Sequence, residues 1–209
     1  MMLIGLTQRV EIVKGREERR DCLDQKWTRL LVRNGMLPIP LPNCIEDVRP
    51  LISELYLTGV ILTGGNDLSH LPSARNSSPE RDVFEHKLLV LCSERNIPVL
   101  GVCRGLQMMV VLYGGELIPL REHVGTRHGL VVHHKSTMPL TDRKAVNSFH
   151  NFGIARDNIG HDLMVVATAS DGTVEAVAHR KLPQWGIMWH PERPPYDDDD
   201  STIIKELFT

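Results

Sequence analysis

Apolar residues in this chain fall alternately into short unbroken runs and amphipathic stretches, a texture that predicts strands alternating with helices. Residues 1–7, 59–62 and 97–102 read as buried strands. Residues 16–34 place Leu23, Trp27, Leu30 and Leu31 on one helical face, with Gly35 as the stop and Cys22 packed beside the stripe. Residues 36–41 are extended but broken by Pro38 and Pro40, which suits an edge strand. Residues 46–55 predict a short helix. Residues 80–95 predict a longer one, with Phe84, Leu88, Leu91 and Cys92 on its buried face. A polar, turn-rich stretch, 66–79, reads as a loop near the site. Residues 104–113 form a nearly continuous apolar helix closed by Gly114 and Gly115.

This alternation implies an α/β fold, with a mostly parallel central sheet covered by helices on both faces. Ligands then gather at the C-terminal ends of the strands. Beyond Gly115 the texture changes to short strands and turns at 116–120, 129–133, 145–149, 163–168, 174–180 and 184–189. These predict antiparallel additions in the C-terminal half that return the last strand beside the site. The acidic run 197–200 precedes a predicted helix at 201–208, where carboxylates suit the positive end of the helix dipole.

Candidate chemistry concentrates in 97–115, I-P-V-L-G-V-C-R-G-L-Q-M-M-V-V-L-Y-G-G. Cys103 stands on the turn from strand to helix, with Gly101 and Gly105 two residues to either side. Such a turn strains its central residue and leaves no room for bulky neighbours, the layout of the nucleophile elbow. A thiol there faces unpaired N–H groups at a helix N-terminus, which favour an anionic nucleophile. A second segment, W-G-I-M-W-H-P-E at 185–192, ends a strand-like run in His190 and sets Glu192 two residues on. Cys103, His190 and Glu192 therefore supply a nucleophile, a base and a group to orient the base.

Together these motifs resemble the class I glutamine amidotransferase-like family, on its γ-glutamyl hydrolase branch. I-L-T-G-G-N-D-L at 61–68 resembles the family's oxyanion turn, and V-N-S-F-H at 146–150 a substrate-side segment. The resemblance runs from the first strand to Arg193. It implies a flavodoxin-like class I amidotransferase fold and cysteine-dependent hydrolysis of a γ-glutamyl amide through a thioester. In that reading the backbone N–H groups of Gly65 and Arg104 receive the oxyanion. Gln107 touches the α-amino and α-carboxylate end of the glutamyl group, and Asn66, Ser148 and His150 line the pocket. No metal or organic cofactor is implied. Phe152 departs from the branch, which commonly has glutamine there. The segments I-G-L-T-Q-R-V, R-D-C-L-D-Q-K-W and P-L-P-N are similar to hydrolases that remove glutamate from γ-glutamyl-CDP-amidate in capsule assembly. A glutaminase subunit that delivers ammonia to a partner synthetase stays open as the alternative. A catalytically idle homologue is disfavoured, because Cys103, His190 and Glu192 are all present.

Composition narrows the partners. At 209 residues the chain fits one sizeable domain, 1–209. A net charge of −2 offers no argument for nucleic acid or an anionic membrane. No apolar run approaches the ~18 residues that span a bilayer. The start M-M-L-I-G-L-T-Q lacks the features of a secretory signal, so a cytoplasmic location is expected. The expected partner is a small-molecule substrate, and a homo-oligomer stays open. Cys22, Cys44, Cys92 and Cys103 form no CxxC pair. His123, His128, His133 and His134 are close in the chain, but their spacing matches one face of neither helix nor strand, and no metal set is expected from them. The Arg104 guanidinium is placed to aid an anion or clamp a substrate carboxylate or phosphate, or else to form a surface ion pair.

Overall fold

The computed structural model describes residues 2–133, 138–140 and 145–209. In chain order the elements are β1 (Met2–Thr7), β2 (Arg9–Val13), β3 (Glu18–Cys22), α1 (Gln25–Arg33), β4 (Met36–Leu41), α2 (Arg49–Ser53) and β5 (Gly59–Leu62). Then come α3 (Pro79–Glu94), β6 (Val99–Val102), α4 (Arg104–Leu112), β7 (Ile118–Pro119), β8 (Val124–His128) and β9 (Val131–Val132). The chain ends with β10 (Val146–Phe149), β11 (Phe152–Gly153), β12 (Leu163–Thr168), β13 (Val174–His179), β14 (Gln184–Ile187) and α5 (Asp198–Phe208).

Eight strands form the central sheet in the order β4-β1-β5-β6-β14-β13-β12-β9. The first five run parallel, and β13, β12 and β9 add antiparallel. The period-2 alternation of each strand divides its side chains between two faces. Ile4, Leu6, Ile61, Leu100 and Val102 pack with Trp27 and Leu31 of α1 and Ile204 and Phe208 of α5. Leu41, Val60, Leu62 and Val99 pack with Ile52 of α2, Phe84 and Leu88 of α3 and Met109 of α4. Helices thus cover both faces, and β4, with its two prolines, lies at the sheet edge as expected.

Several expected boundaries move. The helix expected over 16–34 begins only at Gln25, where the Asp24 carboxylate caps the Lys26 N–H. Glu18–Cys22 instead pairs antiparallel with Arg9–Val13 as a hairpin. Glu18, Arg19, Arg20 and Asp21 offer no apolar face for a helix to bury, whereas β2 offers a ladder of backbone partners. Cys22 therefore ends a strand rather than flanking the α1 stripe. The helix at 46–55 shrinks to Arg49–Ser53, and the strands at 116–120 and 129–133 to two residues each. β8 was missing from the expected elements because Val124–His128 is largely exposed and lacks apolar alternation. Asp197 caps α5 by accepting from Asp199 N–H, but Asp200 is buried and accepts the Trp189 Nε1–H at 2.9 Å. The acidic run thus does more than cap and solvate a helix.

Close approach of α4 to β5 is built into one position. A Cβ on Gly105 would lie 2.0 Å from the Leu62 carbonyl oxygen, whereas one on Gly35 meets nothing within 4 Å and faces only its left-handed φ of +77°. Gly105→Ala is therefore expected to cost about 3 kcal/mol or more, and Gly35→Ala about 1 kcal/mol, as measured by urea denaturation.

Candidate active site

Cys103 bridges the end of β6 and the start of α4 with φ 53° and ψ −104°, a strained conformation for any residue with a side chain. The chain can turn so sharply because its neighbours lack side chains. A Cβ on Gly101 would meet Met109 Sδ at 2.5 Å and the Gly105 backbone at 2.8 Å. The Cys103 N–H donates to the Ile187 carbonyl at 2.8 Å, which ties the elbow to β14.

β14 runs beside β6 with Ile187 level with Val102, so the segment that follows it emerges next to Cys103. His190 and Glu192 lie there, both buried. The His190 Nδ1–H donates to Glu192 Oε1 at 2.8 Å, which leaves Nε2 for Cys103. Asn147 on β10 holds the backbone of His190 from both sides, accepting its N–H and donating to its carbonyl at 2.9 Å each. Burial works against an imidazolium here. Attraction to and hydrogen bonding with Cys103, together with the Glu192 carboxylate, outweigh it and push His190 up to about 9. Gly64 seals the group: a Cβ there would lie 2.7 Å from His190 Cε1 and 3.5 Å from Cys103 Cβ.

The glycine turn at 63–65 is held from behind by one fully buried side chain. The Arg81 guanidinium donates to the carbonyls of Thr63 (2.6 Å), Gly64 (3.2 Å) and Gly65 (2.6 Å). Thr63 is fixed from the other side as well, because its N–H donates to Thr7 Oγ1 at 3.0 Å. Arg81 Nε also donates to Glu85 at 2.8 Å, and Glu85 takes the Arg104 guanidinium on its second oxygen. Asp82 completes the network through the other arm of Arg104. Burial lowers Arg81 to about 10 even beside Glu85. Burial would raise the Glu85 carboxyl, but Arg104 and Arg81 hold it below its usual range.

This network corrects the expectation for the Arg104 side chain. It is buried between Asp82 and Glu85, so it neither clamps a substrate anion nor forms a surface pair. Its backbone N–H still follows Cys103 on the first turn of α4. Asn66 also differs from expectation, because its amide brackets the Val10 backbone as a neighbouring strand would, accepting at 2.8 Å and donating at 3.0 Å. Gln107 is buried and donates to the Phe152 carbonyl at 2.9 Å. The Ser148 hydroxyl donates to the His123 carbonyl at 2.7 Å, and His150 Nδ1–H to the Phe152 carbonyl at 3.1 Å. The polar atoms of Asn66 and Ser148 are thus engaged by protein backbone, and residue 152 contributes a carbonyl where the branch commonly has a side-chain amide. Arg81, Asp82, Glu85 and Asn147 were missed. Arg81 and Glu85 stand one helical turn apart, and a buried i,i+4 pair was their one trace in the sequence.

A small cavity of about 70 Å³ opens beside this group, lined among others by Gly64, Gly65, His190, Glu192, Cys22 and Trp27. Arg9 and Arg193 lie at the same cavity, and Arg9 Nε is buried without a hydrogen-bond partner. Of the other thiols, Cys44 is exposed, and burial pushes Cys92 up to about 12.

Comparison with known proteins places this geometry. The profile of the peptidase C26 family matches residues 2–192. The chain belongs to the peptidase C26 family. Members of this class I glutamine amidotransferase-like group that resemble the chain include γ-glutamyl-CDP-amidate hydrolase of Campylobacter jejuni. That enzyme is 35% identical over 212 residues, covering 100% of this chain and 98% of the relative. γ-Glutamyl-γ-aminobutyrate hydrolase PuuD of Escherichia coli is 28% identical over 219 residues, covering 89% and 83%. Among solved structures, a putative GMP synthase component from Thermoplasma acidophilum superposes with a TM-score of 0.73 at 20% identity, covering 100% of this chain and 92% of that one. A glutamine amidotransferase from Thermotoga maritima gives 0.69 at 19%, covering 91% and 76%. These bear out the class I amidotransferase fold for this peptidase C26 member. Among the described residues, no helix is long and apolar enough to cross a membrane.

Two expectations follow from the site's electrostatics. The folded value of His190 lies above the ordinary 6.5, so its ionisation stabilises the fold fully below about pH 6.5 and that contribution is lost as pH rises through about 9. Turnover that depends on the imidazolium should fall along the same limb, and Glu192→Gln should shift that limb to lower pH in a kcat/KM profile. Glu85→Gln, which strips two buried guanidinium groups of their shared partner, should cost about 3–5 kcal/mol. Glu18→Gln, in an exposed pair with Arg20, should cost less than about 1 kcal/mol by the same denaturation assay.

Proposed function

We propose that this protein is a cysteine-dependent hydrolase that cleaves the amide bond of a γ-glutamyl conjugate and releases glutamate. The observation that carries the reading is Cys103 in a strained elbow at the start of a helix, facing a His190 held by Glu192. The family and the hydrolase relatives support amide-bond hydrolysis. The Cys103 thiolate attacks the γ-carbonyl carbon, and the carbonyl oxygen gains negative charge. Backbone N–H groups of Gly65 and Arg104 receive that charge, the arrangement that lowers such barriers most. The C–N bond breaks as the His190 imidazolium gives its proton to the leaving nitrogen. A thioester joins Cys103 to the glutamyl group. Neutral His190 then takes a proton from water, whose oxygen attacks the thioester. The C–S bond breaks, glutamate departs, and the thiolate–imidazolium pair is restored.

The leaving group is anionic in this reading. With the Arg104 guanidinium buried, the cations at the site cavity are Arg9, paired at 3.1 Å with the exposed Glu11, and Arg193, 3.8 Å from Glu192. They fit a diphosphate, and the full-length likeness to γ-glutamyl-CDP-amidate hydrolase makes γ-glutamyl-CDP-amidate the first substrate to test. In that substrate the scissile bond joins the γ-carbonyl to a phosphoramidate nitrogen, which would place the pathway in capsule assembly. Solved relatives whose names describe amidotransferase components are about 20% identical and speak to the fold alone, so no observation favours the glutaminase-subunit reading.

Glutamate release from a panel of γ-glutamyl compounds tests this. The purified protein alone should prefer a conjugate with an anionic leaving group over glutamine by at least about tenfold in kcat/KM, roughly 1.4 kcal/mol. Arg9→Ala and Arg193→Ala should shrink that preference more than they lower glutamine cleavage. Cys103→Ala should abolish turnover, whereas Cys44→Ala and Cys92→Ala should retain it. Glutaminase activity that appears only on adding a synthetase would defeat the proposal.

A further inference from the structure

The ribbon of β8 and β10 brings together four side chains with no part in the reaction above. One ligand atom from each of His123, His128, His150 and Glu175 lies within 4.8 Å of every other. His123 immediately precedes β8, His128 ends it, His150 immediately follows β10, and Glu175 lies in the first half of β13. His128 Nε2 stands 3.4 Å and His150 Nε2 3.7 Å from Glu175 Oε1. The ring of His123 lies against both other rings, with centroids 5.4 Å from His128 and 4.9 Å from His150. Four atoms bound tetrahedrally at 2.0–2.1 Å stand about 3.4 Å from one another, and the measured Glu175 separations sit close to that.

The hydrogen bonds also point inward. His150 Nδ1 donates to the Phe152 carbonyl at 3.1 Å and His128 Nδ1 to the Gly129 carbonyl at 3.4 Å. His123 Nε2 meets the Asp171 carboxylate at 2.8 Å. His128 and His150 therefore each hold Nδ1 on an outer oxygen acceptor, which fixes the tautomer that leaves the Nε2 lone pair free, as ligating histidines are held. His123 is held through Nε2, and its Nδ1 makes only a long 3.5 Å contact with Ser148 Oγ, whose proton goes to the His123 carbonyl. His128 Nε2, His150 Nε2 and both Glu175 carboxylate oxygens are buried without a hydrogen-bond partner. Glu175 is wholly inaccessible to solvent. A carboxylate so placed needs a cation. We propose that His123, His128, His150 and Glu175 form a structural site for a zinc-type divalent metal, which clasps the β8–β10 ribbon to β13 of the central sheet. The donor set of three imidazoles and one carboxylate suits zinc and excludes calcium and magnesium.

The expectation of no metal set was built on residues 123, 128, 133 and 134 taken along the chain. Folding divides that group: His133 Nε2 meets Thr168 Oγ1 at 3.0 Å, and His134 lies outside the described residues. Glu175 and His150 replace them from strands far along the chain. His150, expected to line the substrate pocket, becomes a ligand.

Co²⁺ and Zn²⁺ titrations of chelator-stripped protein test the site, in a Cys103→Ser background so that the active-site thiol contributes nothing. The expected result is about one equivalent of Co²⁺ with the visible bands of a tetrahedral nitrogen–oxygen site and no thiolate charge-transfer band, displaced by Zn²⁺. Zn²⁺ should raise the Tm. Glu175→Gln and His128→Ala should each weaken Zn²⁺ binding at least about tenfold. His128 lies at the ribbon's partly exposed end and serves as the readout if the Glu175 variant does not fold. Absence of tetrahedral Co²⁺ bands in the stripped protein, or Zn²⁺ affinity unchanged in His128→Ala, would overturn the proposal. Because neither readout uses turnover, its failure would leave the hydrolase reading untouched.

Discussion

The site geometry depends on a buried cluster of charge in which one carboxylate, Glu85, holds two guanidinium groups. Neither arginine would tolerate such burial alone, since an unpaired internal charge is strongly destabilising. The network ties together three elements that must agree within a fraction of an ångström. Arg81 fixes the glycine turn through its carbonyls, α3 supplies both acids, and Arg104 fixes the first turn of α4. An apolar cluster of equal volume could match its stability, but it could not hold three successive carbonyls in one direction. The guanidinium next to Cys103 in the chain is therefore part of the scaffold.

The second arm of the site is held differently. His190 is fixed at its backbone by Asn147, whose strand β10 pairs with the exposed strand β8. A two-stranded ribbon has little stability by itself, and it is attached to the main sheet through Val146, buried in the apolar core, and through the polar face where His128 and His150 meet Glu175. Looseness at that attachment would reach His190 through the two Asn147 hydrogen bonds.

Much of this architecture could be read from local pattern. The glycines around Cys103 carried a steric meaning that the structure repeats atom for atom, with Gly105 against the Leu62 carbonyl and Gly101 against Gly105. The parallel strands were legible because unbroken β-branched runs have few other uses, and His190 and Glu192 because a strand end delivers them. What escaped depended on partners distant in the chain. Helical periodicity at 25–33 spread falsely over 16–24, where hairpin pairing with β2 decided the outcome. The direction of the Arg104 guanidinium could not be inferred without knowing that α3 would lie against α4. Glu175, on a strand that otherwise holds buried aliphatic residues up to its last residue, His179, gave no local sign of histidines converging on it.

The position of β14 bears on how the protein comes into being. This strand lies between β6 and β13 in the sheet, yet it follows both of them in the chain. Until it inserts, β6 and β13 have no shared neighbour, and Cys103 lacks both the carbonyl that ties down its elbow and the imidazole beside it. A chain folded only as far as β13 thus carries Cys103 without His190 beside it, and the two meet only as the sheet closes. The centre of the sheet is in effect the last part of it to close, and the candidate site is completed with it.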